Sequence, residues 1–290
     1  MKVLFIKSGI HPKNLNFILN CKKIELTTII NHVNEIDNLN ISDYDVVYSP
    51  CEPIDVSKYT NTKFIFGPHF SIFPHQSHMN MIRNSQNVVY IQPSDWAAQV
   101  WINNPICNNI NIKPFAFGVE TERFCEILPL EHRSMVFVYF KSRKHKELHA
   151  IVNFLQSKNI EFRLFHYTER YSEEEYITCL QNSKYGIWLG RHESQGFALE
   201  EALSCNVPLL VWNVTSMNQE EGANYIDIPA SVIPYWDERC GEYFYNTTEL
   251  EETFNAFLSK IDTYKPRDYV LENLSFDVCE EKLVNMIENI

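Results

Sequence analysis

Glycine is scarce in this chain, eight in 290 residues, so the place of each one is informative. Long apolar runs are missing as well. None approaches the roughly 20 residues needed to span a bilayer. The opening run at 3–6 is too short for a signal peptide and reads as a first strand. The eight cysteines stand singly, with no paired metal-ligand spacing. Free thiols in a reducing compartment are the simplest reading, and a soluble, cytoplasmic protein is expected. Positive charge is in deficit: 25 lysines and arginines against 37 acids leave a formal net charge of -12. Such a balance argues against non-specific binding to nucleic acid or anionic membrane. No apolar run leads into Gly-x-Gly-x-x-Gly, which removes the signature of a dinucleotide-binding enzyme. Internal repeats and low-complexity tracts are also lacking.

What the chain does have is an alternation. Apolar runs at 3–6, 24–30, 45–48, 63–66, 88–91 and 112–117 read as strands. Helices are expected at 16–21, at 77–84, and from Ser94 as N-cap to about Ile102. A polar stretch at 121–133, broken by Pro129, reads as an interdomain linker. The alternation then resumes, with strands at 135–140, 160–165, 185–189, 207–212 and 225–228. Helices are expected at 145–157, 197–205, 248–261 and 276–287, and after Ser172, whose capping-box partner is Glu175. Strands alternating with helices predict α/β architecture with parallel, doubly wound sheets. The length allows two medium domains, placed at 1–120 and 121–290, with the last helix a candidate to return to the first.

The stretch at 190–203 is the centre of the chain. It joins a buried strand to a helix, the kind of turn where an open α/β sheet places its ligands. Gly196 lets backbone approach a ligand closely, and the first amides of the following helix are donors at the positive end of a dipole. Such a turn suits a phosphate. Glu193 and Glu201 bracket it, eight positions apart. Any one glutamate is most often a solvated surface residue. Here the two come with Gln195-Gly196 at a ligand turn, and gripping sugar hydroxyls is a job that suits them.

Three further groups stand at the ends of strands. Lys141, Arg143, Lys144 and Lys146 put four cations within six positions, at a helix start that repels each by roughly 0.3–1 kcal/mol when exposed. Each alone reads as a solvated basic residue; together they fit an anion partner. His69 follows the strand at 63–66, and with His75 and His78 nearby both a structural and a chemical role stay open. Tyr167 lies in a loop that is either an exposed polar turn or a stacking surface.

The segment Glu193-Ser194-Gln195-Gly196-Phe197-Ala198-Leu199-Glu200-Glu201-Ala202 resembles the Glu-x7-Glu motif of the retaining nucleotide-sugar glycosyltransferases of GT-B fold, the glycogen-synthase-like and sucrose-synthase-like group. Its continuation, Leu203-Ser204-Cys205-Asn206-Val207-Pro208-Leu209, is similar to that family's helix-to-strand passage. Gly118-Val119-Glu120 with Phe124 resembles the Gly-Val-Asp-x-x-x-Phe junction, with Glu120 in place of Asp. Pro93-Ser94 resembles the start of the last N-domain helix. The resemblance covers roughly 93–290. It implies two Rossmann-like domains with parallel sheets facing a central cleft, the acceptor on the N-terminal side and the donor on the C-terminal side.

The same resemblance implies roles for named residues. Glu193 and His69 would face the donor sugar, and the backbone of Gln195, Gly196 and Phe197 the sugar and diphosphate. Glu201 would hold the ribose and Tyr167 the base. Lys141 and Arg143, with Lys146 next, would bind the diphosphate, although the family's Gly-Arg…Lys-Gly frame is missing. The loops at 213–222 and 235–241 would border the cleft. The activity implied is transfer of a sugar to a glycan or glycoconjugate acceptor with retention of configuration. Neither a cofactor nor a metal is expected, since no Asp-x-Asp stands at the end of a strand. An epimerase or hydrolase of the same fold, and a non-catalytic nucleotide-sugar-binding protein, are the alternatives.

Overall fold

The computed structural model describes residues 1–68, 71–169 and 171–290. The chain divides into two compact units, Met1–Gly118 with Phe276–Ile290, and Val119–Ser275.

The first unit is built on a six-stranded sheet, every neighbouring pair parallel, in the order β2-β1-β3-β4-β5-β6. Its strands are Lys2–Ile6 (β1), Glu25–Ile30 (β2), Val46–Ser49 (β3), Lys63–Phe66 (β4), Val88–Gln92 (β5) and Ile112–Pro114 (β6). The central strands are buried on both faces, which is why they read as unbroken apolar runs. Helices Pro12–Asn20 (α1), Gln76–Ile82 (α2) and Asp95–Ile102 (α3) connect them. Ser94 sits at the N-cap of α3 without making a side-chain cap bond, and its hydroxyl is buried with no partner among the described residues. The last helix belongs to this unit, where Phe276 packs edge-on against Phe17 of α1.

The second unit holds a five-stranded sheet, again all parallel, in the order β11-β10-β9-β7-β8. Its strands are Met135–Phe140 (β7), Arg163–His166 (β8), Ser183–Leu189 (β9), Leu209–Trp212 (β10) and Gly241–Phe244 (β11). The helices are His145–Ser157 (α4), Glu173–Asn182 (α5), Phe197–Ser204 (α6), Leu250–Ser259 (α7) and Pro266–Asn273 (α8), and Phe276–Glu288 (α9) closes the chain in the first unit. Side chains of β7 and β9 alternate between the two faces, as the strand period requires. Val138, Phe140, Ile187 and Leu189 face Leu148, Ile151 and Leu155 of α4 and Phe254 and Phe257 of α7. On the other face Tyr139 stacks on Trp188, centroids 4.0 Å apart and rings 7° from parallel, and Tyr176 of α5 meets Phe137 edge-on. Each aromatic pair adds about 0.5–1.5 kcal/mol beyond the area it buries.

Two expectations are corrected and one element is added. The 121–133 stretch is not a linker but part of the second unit, with Phe124 and Arg133 buried. Arg133 is tolerated inside because its guanidinium donates to the carbonyls of Leu128, Cys205 and Asn206 and pairs with Glu126. The expected strand at 225–228 does not form; the fifth strand is β11, further along. Helix α8, which had no counterpart in the reading of the sequence, packs on α6.

Candidate functional site

In the second unit the chain leaves β7 towards β8 on one side, and β9 lies on the other. The carboxyl ends of β7 and β9 therefore form the topological switch point, where open α/β sheets bind ligands. Backbone bonds carry the ladder past both strands. Lys141 N donates to Leu189 O at 2.9 Å, Arg191 N to Lys141 O at 2.9 Å, and Tyr167 N to Phe140 O at 2.9 Å. The long excursion between β10 and β11 is tied to the same edge. Glu193 N donates to Ser231 O at 2.9 Å, and Glu221 N to Ser142 O at 2.8 Å. Asn213 pins both arms of that excursion, its buried Oδ1 accepting from the amides of Val214 and Val232, each at 2.8 Å.

Onto this edge the structure brings Lys141, Glu193 and Tyr167. Lys141 Nζ lies 2.8 Å from Glu193 Oε1 and 2.9 Å from Oε2, and 4.6 Å from the centroid of the Tyr167 ring. The two charged side chains are only 13% and 11% exposed, so each has given up much of its hydration for the other. A pair so placed contributes little net stability, but removing one partner costs about 3–5 kcal/mol, because a buried charge is left alone. Tyr167 is exposed above them.

Gly196 opens α6 at φ 94°, ψ 36°, a left-handed conformation that a side chain resists. The α6 amides that follow lack intrahelical acceptors by geometry. Phe197 is half-buried there and Glu201 is 5% exposed within the helix. The side chain of Gln195 turns inward, its Nε2 donating to both carboxyl oxygens of Glu200 at 3.1 Å. Glu200 is 1% exposed, and burial holds its carboxyl well above the usual carboxylate range. The Gln195 bond opposes that rise, and the charges of Glu201 and Glu193 add to it.

Arg143, expected to bind the diphosphate, is buried at the end of β7. It is 1% exposed, with Nη1 donating to the carbonyls of Gly190 and Trp212, each at 3.1 Å, and Nε and Nη2 held by Glu147. Its cation is engaged in holding the ends of β9 and β10 to the start of α4. Lys146 is exposed on the first turn of α4. His69 lies outside the described residues.

Four groups at this edge escaped the reading of the sequence. Arg191 pairs with Glu220, Nη1 to Oε1 at 2.5 Å. His192 lies beside them, Nδ1 3.8 Å from Glu220 Oε2, and its imidazole is pushed down to about 4, first by burial and then by the Arg191 charge. Glu200 is the fourth. Arg191 and His192 stand within two residues of Glu193, so proximity in sequence was the available signal. Glu220 lies in the irregular excursion, where nothing in the local pattern marks it. Among the described residues no three His, Cys, Asp or Glu side chains cluster as metal ligands, and no helix is long and apolar enough to cross a membrane.

No protein-family model matches the chain, and no curated protein matches its sequence. Solved structures do match its fold. The N-terminal domain of Candida albicans trehalose-6-phosphate phosphatase superposes with a TM-score of 0.64 at 10% identity, covering 99% of this chain and 97% of that one. The lipopolysaccharide outer core galactosyltransferase WaaB gives 0.58 at 13% identity, covering 99% of both chains. Sucrose-phosphate synthase from Thermosynechococcus elongatus gives 0.50 at 10% identity, over 85% of this chain and 73% of that one. With two Rossmann-like α/β units, each on a parallel sheet, the fold class is GT-B.

Proposed function

We propose that the protein is a glycosyltransferase that moves a sugar from a nucleotide-diphosphate sugar to a glycan or glycoconjugate acceptor, with retention of configuration and without a metal. One observation carries this reading. The Lys141–Glu193 pair stands beside the Gly196 helix start, at the switch point of the second sheet. That combination offers a cation, backbone donors and a carboxylate within one edge. The fold neighbours named as a galactosyltransferase and a sucrose-phosphate synthase support it.

In the proposed reaction the bond from the sugar's anomeric carbon to the diphosphate breaks, and its electron pair stays on the phosphate oxygen. The α6 amides and Lys141 stabilise that added charge, the kind of preorganised electrostatics that needs no metal ion. The acceptor hydroxyl attacks from the face the phosphate leaves, and its proton passes to the departing phosphate oxygen. Glu193, released from Lys141 as the phosphate takes that cation, faces the sugar and stabilises positive charge developing at the anomeric carbon. Glu201 takes the ribose hydroxyls and Tyr167 the base. Lys146 remains a candidate for the outer phosphate, and Arg143 is assigned to the fold. The cysteines stand as thiols, none joined in a disulfide among the described residues, which fits a reducing, cytoplasmic setting.

The test is a mass-spectrometric screen of nucleotide-sugar donors, with and without mixed glycan acceptors, followed by Glu193→Ala with the donor found. Acceptor-dependent transfer that falls at least a hundredfold in the variant is expected, about 2.7 kcal/mol of transition-state stabilisation. Absence of both transfer and donor loss across the panel, or full turnover in Glu193→Ala, would refute the reading.

A further inference from the structure

The second unit uses its arginines in two ways. Arg133 and Arg143 have side chains with no exposure, and their guanidinium groups are turned onto main-chain carbonyls. Such arginines tie loops together and offer nothing to a ligand. Arg191 differs. Its side chain is 37% exposed and pairs with a carboxylate, Glu220, itself 14% exposed. Its Nε is buried with no hydrogen-bond partner among the described residues, and so is Glu220 Oε2. A buried donor left without an acceptor is unfavourable enough that native structures rarely keep one without a reason. The backbone of Arg191 is bonded to that of Lys141 at 2.9 Å, and its side chain lies within electrostatic reach of Glu193 and Tyr167. Two cations, each matched by one carboxylate, thus stand next to each other at the switch point.

We propose that Arg191, together with Lys141, is the cation pair that receives the ligand's diphosphate, and that Glu220 holds Arg191 until the anion arrives. This rests on the nucleotide-sugar reading for the identity of the ligand, but the anion site stands on its own residues. The guanidinium fork suits a phosphate bidentately, and the orphan Nε–H gains the acceptor it lacks. A diphosphate entering the site exchanges with the two carboxylates: Arg191 leaves Glu220, Lys141 leaves Glu193, and each carboxylate becomes available to hydroxyl groups of the ligand.

Calorimetric titration of the full chain with inorganic pyrophosphate and with a panel of nucleoside diphosphates tests this. Arg191→Gln is expected to weaken binding about tenfold to a hundredfold, the range for a hydrogen bond to a charged group. Glu220→Gln is expected to tighten it, because the competitor for the cation is gone. Opposite signs in the two variants support the proposal. Equal losses in both would show that the pair merely holds the loop, and would overturn it. Absence of pyrophosphate and nucleotide binding by the native protein would overturn it too. Binding that depends on Lys141 but not on Arg191 would sink this inference and leave the glycosyltransferase reading standing. Binding that depends on Arg191 in a protein that transfers no sugar would do the reverse.

Discussion

Each sheet reverses its strand order at a single place, between β1 and β3 in the first unit and between β7 and β9 in the second. The two places are filled with different chemistry. In the first, the turn after β1 lies backbone-to-side-chain against the turn after β3. A Cβ on Gly9 would stand 2.5 Å from Cys51 Sγ and 2.6 Å from its Cβ, and Ser49 Oγ donates to Glu52 O at 2.6 Å. Van der Waals contact closes that edge. In the second, the corresponding loops carry the Lys141–Glu193 and Arg191–Glu220 pairs, with the neighbouring His192 held neutral by burial and Arg191. Dehydrating that many ionic groups is unfavourable, and apolar residues of similar volume would hold the same loops as well or better. Stability therefore does not account for the second edge, whereas the proposed recognition of a charged ligand would.

The largest effect that can break this contrast is at Glu193. Its replacement by Ala strands Lys141, and a loss of about 3–5 kcal/mol in unfolding free energy is expected, alongside the loss of transfer. Replacing both partners, Lys141→Met with Glu193→Leu, is expected to restore most of the stability and none of the activity. Chemical denaturation beside an activity assay checks it. If the double variant stayed as unstable as the single one, the pair would be a structural element and the two edges would differ less than argued.

Much of this contrast was legible beforehand, and the illegible part has a common cause. Apolar runs marked β1, β3, β4, β5, β7, β9 and β10, since a strand buried on both faces has to be written that way. The capping box at Ser172 and Glu175 forms as read, with both reciprocal bonds present. Strand β11 was missed because Gly-Glu-Tyr-Phe is short and half-polar, as an edge strand with one open side allows. Tyr225 and Ile226 carry the stronger apolar signal, yet Ile226 is 78% exposed. Helix α8 carries Pro266 at its first position, a start signal that its charged residues masked. The arginines teach the same lesson at the site. The one local mark on Arg143 is Glu147 four positions on, an ordinary helix pair; what buries it is a pair of carbonyls, at Gly190 and Trp212, supplied from far along the chain. Residue type and spacing located the edge; only tertiary contacts said which cation faces outward.

A second pair of substitutions sharpens the comparison at the glycines. Gly9 (φ +66°) and Gly196 (φ +94°) both hold backbone that side chains avoid, which for an L-residue costs about 1–2 kcal/mol. At Gly9 a methyl group also collides with Cys51, adding about 1–3 kcal/mol of overpacking. At Gly196 the nearest atom is 3.6 Å away, so the strain stands alone. Gly9→Ala is therefore expected to be the more destabilising by thermal melting, and Cys51→Gly to rescue part of it. Gly196→Ala is expected to unfold little earlier yet to weaken nucleotide binding. Equal melting shifts would remove the steric half of the contrast.

The gentlest probe is pH, because the second edge holds two groups whose titration runs in opposite directions. His192 has a folded pKa of about 4, below its ordinary 6.5. Between those values the unfolded chain binds a proton that the folded chain refuses, so stability falls as pH drops from about 6.5 to 4 and is unaffected by His192 above that window. Glu200 is shifted the other way, its folded pKa raised well above 4.5. Above pH 4.5 the unfolded chain ionises while the folded chain keeps the proton, so stability falls as pH rises. Each full proton difference amounts to about 1.4 kcal/mol per pH unit, so His192 is expected to contribute on the order of 3 kcal/mol across its window. His192→Gln should then flatten the acid limb of a stability–pH curve and leave pH 8 unchanged, while Glu200→Gln should do the reverse. Denaturant melts of both variants from pH 4.5 to 8 decide the matter. If either variant moved both limbs together, its effect would come from packing, and the charge of the second edge would not be what sets its response to acid.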